Sequence, residues 1–135
     1  MANFEMTGFD FLLRKLENAS KLDYVAPEMI NAALPILQDS LKETIRKEAD
    51  RGYATGEMAE SVEKTETKRN RYGYFGLVRP TGMDEKGVRN MEKLAYLHYG
   101  TSTQQARPVV TKAVFHAKRK VIEKMQERFN EMIGN

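Results

Sequence analysis

Apolar residues recur along this chain at two different periods, and the change of period divides it into helical flanks and a strand-like middle. Phe9, Leu12, Leu13 and Leu16 stand on one face of a short amphipathic helix over 8–18, and residues 19–26 read as a loop behind it. From Pro27 the series Ile30, Ala33, Leu34, Leu37, Leu41 and Ile45 keeps steps of three or four. Pro27 suits the first turn of that helix, where a missing N–H leaves nothing unpaired. Pro35 falls inside the series and has neither an N–H nor room for the carbonyl of Asn31, which predicts a kink or a later start. Beyond Gly52, Thr55 or Gly56 is placed to cap a short helix over 57–61.

The middle changes character. Val62, Thr65 and Thr67, then Tyr74, Phe75, Leu77 and Val78, predict two antiparallel strands over 61–68 and 72–78, with the turn at 68–71 (KRNR) and a stop at Pro80 and Gly82. Gly73 and Gly76, inside the second strand, mark a bulge or a close backbone approach. Two strands alone are marginal, so a helix or a neighbouring subunit must cover one face. A polar loop over 81–90 leads to Met91, Leu94, Ala95 and Leu97, a short helix or a final strand ended by Gly100. Val110, Val114, Ala117, Val121, Met125, Phe129 and Met132 then trace the longest helix, from Pro108 to Ile133. The order helix, helix, strands, helix predicts an α+β fold in one domain over 1–135. A helix and loop over 1–26 precede a core over 27–135, where a kinked long helix and a long C-terminal helix pack on a small antiparallel sheet.

Composition narrows the functional classes. The 135 residues contain no cysteine, which excludes disulfides and thiolate metal sites. No stretch has the length and hydrophobicity of a membrane span, and the opening MANFEMTGFDF carries acids where a secretory signal needs basic and then apolar residues. The expectation is a protein made in the cytoplasm, without a membrane partner. The 22 Lys and Arg against 19 Asp and Glu leave a mild excess of +3, too small to define a partner.

Candidate chemistry is sparse. His98 and His116 lie in no metal-ligand spacing, no glycine string forms a phosphate cradle, and no serine sits in a nucleophile elbow. The expectation is no catalytic residue, no metal and no cofactor. Lys68, Arg69 and Arg71, next to Tyr72, Tyr74 and Phe75, combine cations with aromatics as nucleic-acid surfaces do, although a basic hairpin tip is more often solvated. A free-standing basic nucleic-acid-binding module and a small hydrolase centred on His98 are the alternative readings from the residues alone.

Three strings point further: Thr55, Gly56, Glu57 and Met58 with Ser61 after them; Ala95 to Thr101 (AYLHYGT), containing Tyr96, Tyr99 and Gly100; and Ala106, Arg107 and Pro108. Their order, after a long helix, after a sheet and at the start of a last helix, resembles the tail-completion or head-tail connector family of minor tail components in siphophages and prophages. The likeness covers the chain from about residue 27. His98 stands where that family carries an acid, and Val109 where it carries an aromatic. The resemblance implies a structural virion protein at the head-tail junction, built by homo-oligomeric ring assembly with other connector and tail proteins and assembled in the bacterial host cytoplasm. Nonspecific contact with DNA in a channel is part of that expectation. The matched positions are expected to act as turn, cap and interface residues.

Overall fold

The computed structural model describes residues 2–48 and 56–133, and of residues 2–20 and 22 the backbone alone. Helix α1 (Ala2–Glu48) is followed by α2 (Glu57–Glu60), strands β1 (Val62–Lys64), β2 (Lys68–Asn70), β3 (Gly73–Phe75) and β4 (Val78–Pro80), then α3 (Asn90–Tyr99) and α4 (Val109–Ile133). The class is the expected α+β, with long helices α1 and α4 packed together beside a small set of antiparallel strands.

The N-terminal reading needs correction. Residues 2–48 form one continuous helix, so the loop at 19–26 does not occur and Pro27 lies in a helix interior. A tertiary contact offsets part of the cost. Pro27 has no N–H for the carbonyl of Asp23, and the single O–H of Tyr74 is shared between that carbonyl and the Asp23 carboxylate, each 3.2 Å away.

The four strands are two consecutive ladders of one hairpin. β1 pairs with β4 in the register Val62↔Pro80, and β2 with β3 in the register Lys68↔Phe75. Between the ladders residues 65–67 oppose 76–77, three against two, which makes a bulge. Thr65 bridges it, its N–H donating to Leu77 O at 2.9 Å and its hydroxyl accepting from Leu77 N at 2.9 Å. Gly76 suits this place because a Cβ there would lie 2.6 Å from Leu34 Cδ1 and 3.1 Å from Ile30 Cγ2, so any larger residue would make the Leu34 side chain shift where α1 approaches the ribbon. The expected KRNR turn is shifted. Lys68, Arg69 and Asn70 belong to β2, and the chain reverses at Arg71 and Tyr72, where Asn70 Oδ1 accepts from Tyr72 N at 2.8 Å.

Helices α1 and α4 run antiparallel. Glu48 meets Lys112 at 2.6 Å, the Ser40 hydroxyl donates to Ala113 O at 2.7 Å, and Glu28 meets Arg128 at 3.1 Å. The stripe predicted for α4 is off by one residue at its first two positions and holds from Ala117 onward, where Val121, Met125, Phe129 and Met132 are half-buried. Val109, Ala113 and Ala117 are buried, whereas Val110 and Val114 are exposed. Close approach to α1 selects the small alanines, so hydrophobic bulk pointed to the wrong neighbours. The core beneath is formed by Leu41, Ile45, Met58, Ala59, Val62, Leu94, Leu97, Val109 and Ala113, which ties the C-terminal end of α1 to α2, β1, α3 and α4.

Candidate functional site

The three strings converge at that core, apart from Thr55, which lies outside the described residues. Gly56 precedes α2 with φ +64, and no side chain caps the helix there, so its contribution is backbone freedom. Met58 is buried, and the Ser61 hydroxyl donates back to Met58 O at 2.7 Å. Ser61 O in turn accepts from the Thr81 N–H and hydroxyl, each at 2.9 Å, which ties this turn to the end of β4.

The second and third strings are two sides of one loop. Gly100 N donates to Tyr96 O at 2.8 Å, closing α3, and Thr101 N donates to Gln104 O at 2.9 Å. Arg107 N then returns to Leu97 O at 2.8 Å. The Arg107 guanidinium reaches across to Glu48 O on α1 at 2.6 Å, and Pro108 O accepts from Lys112 N at 3.0 Å in the first turn of α4. Arg107 thus joins the α3–α4 loop to α1. Ala95 is half-buried beside buried Leu94, and the Tyr96 hydroxyl donates to Glu92 at 2.9 Å.

Two ion pairs brace this region, and periodicity gives no sign of either, because Glu48 and Lys112 lie on different helices and Asp84 lies in the loop before the helix that carries Lys93. Glu48 is held below the ordinary carboxylate pKa first by its hydrogen bond from Lys112, and further by the charges of Lys112 and Arg107, against the opposing effect of burial. Asp84 meets Lys93 at 2.5 Å, and the two side chains are 12% and 13% exposed. Lys93 and the backbone N–H groups of Val88 and Lys86 lower the Asp84 pKa. An Asp followed by a Gly three residues later, as in Asp84 to Gly87, is the local signal for the turn, which Gly87 N closes onto Asp84 O at 3.0 Å.

Several large apolar side chains are exposed on the last two helices. Tyr99 (78% exposed), Phe115 (76%) and Ile122 (55%) stand out from α3 and α4 together with Val110 and Val114. His98 belongs to the same region, with its Nδ1 accepting from Val110 N at 3.4 Å and its ring edge-on to Tyr99 at 4.6 Å. A ring nitrogen occupied by a backbone N–H makes His98 a helix-end acceptor. His116 lies in a groove of about 410 Å³ between α1 and α4. The hydroxyls there are already engaged, Ser40 with Ala113 O and Thr44 with its own helix at Ser40 O. No cluster of potential metal ligands occurs among the described residues, and none of the described helices is long and apolar enough to cross a membrane.

Lys68, Arg69 and Arg71 are brought together at the distal end of the hairpin, all exposed. Arg69 lies over the Tyr74 ring at 5.2 Å and is 3.9 Å from Asp23. Arg71 lies over the Tyr72 ring at 4.7 Å and donates to its hydroxyl at 2.6 Å. No family model matches the chain, and no curated protein or solved structure is significantly similar to it.

Proposed function

We propose that the chain is a structural subunit of a tailed phage or prophage particle that joins heads to tails or completes the tail by assembling into a ring. The observation that carries this reading is the meeting of the three family-like strings at one junction. There Gly56, Met58, Ser61, Gly100 and Arg107 serve as turn, core and tie residues, and α3 and α4 carry the exposed apolar side chains Tyr99, Val110, Val114, Phe115 and Ile122. Large exposed apolar side chains such as Tyr99 and Phe115 are candidates for contact with another protein, and copies joined head to tail close into a ring when the rotation per copy divides the circle. Neighbours in the assembly are other connector and tail proteins, and the particle is the site of action. No enzymatic step is part of the proposal.

Electron microscopy of the purified chain at high concentration tests it. Annular particles of one diameter are expected, and Phe115→Asp, which replaces the most exposed apolar side chain of α4 with a charge, is expected to abolish them while the fold remains. Open filaments or irregular aggregates in place of rings contradict the proposal.

A further inference from the structure

Residues 67–83 contain four cations, Lys68, Arg69, Arg71 and Arg79, and no carboxylate. The ribbon displays them unequally. Arg69 and Tyr74 are cross-strand partners, and the bond from Tyr74 to Asp23 turns that pair toward α1. Lys68 and Phe75, one position along, therefore point to the opposite face. Arg79 is exposed opposite Glu63, while its neighbours Val62 and Pro80 are buried. Among the described residues neither Lys68, Arg71 nor Arg79 has a carboxylate partner, whereas most other ion pairs of the protein are made by cations elsewhere. Like charges grouped on an exposed arm repel one another and add nothing to folding. A polyanion relieves that repulsion.

We propose that the distal half of the ribbon is a contact for the phosphodiester backbone of duplex DNA, made by Lys68, Arg71 and Arg79 without reading of bases. The inference does not depend on ring assembly. Arg79 pairs at the level of Glu63, eight residues before Arg71, so Lys68, Arg71 and Arg79 span roughly 25 Å of ribbon at about 3.3 Å per residue. That is about three quarters of a turn of duplex, and a two-stranded ribbon is narrow enough to follow a major groove. Single-stranded nucleic acid needs several open aromatic faces in series for stacking; here Tyr72 is exposed with one face under Arg71, whereas Tyr74 is tied to Asp23 and Phe75 is half-buried. Charged residues also protect a free ribbon edge from pairing, and that role alone predicts no affinity for DNA.

Fluorescence anisotropy with a labelled mixed-sequence duplex, titrated between about 50 and 200 mM salt, separates these cases. Three neutralised phosphates predict a slope of log K against log salt near −2.7. Lys68→Ala with Arg71→Ala is expected to flatten the slope by about two and to weaken low-salt binding about tenfold. Lys118→Ala with Lys120→Ala, on α4, is expected to leave both unchanged. Absence of binding at the lowest salt, equal losses in the two variants, an unchanged Lys68/Arg71 variant, or tighter binding of single-stranded DNA each overturns the proposal. Because the substituted side chains are exposed, an unaltered thermal transition is expected to accompany the loss.

Discussion

Gly100 carries two constraints at once. Its φ of 79° and ψ of 175° lie in a region essentially reserved for glycine, and a Cβ there would stand 2.7 Å from Ala106 N and 2.9 Å from Gln104 O. Gly82 shares the positive φ, at 73°, but a Cβ there meets nothing within 4 Å. Gly82→Ala is therefore expected to cost about 1–2 kcal/mol, the backbone term alone. Gly100→Ala is expected to cost more, by about 1 kcal/mol or above, because backbone atoms must also move. Urea denaturation of the two variants measures the difference, and equal losses would show that the loop yields freely. Asp84 gives a prediction in pH. Its folded pKa is lowered, with Lys93 as the largest cause, so its contribution to stability is complete above the ordinary carboxylate value of about 4. That contribution disappears as pH falls through the lowered folded value. Asp84→Asn should lower the melting temperature at pH 7, and the gap to the unsubstituted chain should narrow in thermal scans as pH falls below the ordinary carboxylate value of about 4.

At the scale of elements, the packing of α4 on α1 decides which apolar residues count. Ala113, 1% exposed, sits where the Ser40 hydroxyl reaches its carbonyl, so Ala113→Leu is expected to destabilise the fold by about 1–3 kcal/mol through overpacking. Val114→Leu, one position on and exposed, is expected to change stability by less than about 0.5 kcal/mol. Chemical denaturation of the pair reads the register of α4 directly. Most elements were legible in the sequence: the long helices from steps of three and four, the hairpin from its β-branched and aromatic residues, and the bulge from Gly76. The start of the α4 stripe is off by one residue because periodicity weights the bulk of Val110 and Val114, while close helix contact favours Ala113; Ala117 is buried as the stripe predicts. The continuity of α1 was hidden because Pro27 reads as a helix start unless it is known that Tyr74, 47 positions later, occupies the carbonyl Pro27 leaves free. Of the candidate site, Gly56, Gly100 and Arg107 could be named from the strings, whereas Glu48, Lys112 and Lys93 could not, since each acts through a partner that only the fold brings near.

At the scale of the whole molecule, a braced junction occupies the end of α1 and the α3–α4 corner, exposed apolar side chains stand out from α3 and α4, and the basic arm carries cations without carboxylate partners on a separate ribbon. Copies joined head to tail use two different, complementary patches on each copy, so the proposed ring needs a second patch to receive the apolar side chains of α3 and α4. The central claim is closed homo-oligomeric assembly. Light scattering behind size-exclusion chromatography, run over a concentration series without DNA, tests it most directly. The account predicts a mass that rises with concentration to a plateau at one whole-number multiple of the 15.5 kDa chain. A monomer mass at every concentration, or a mass that climbs without a plateau, would contradict it.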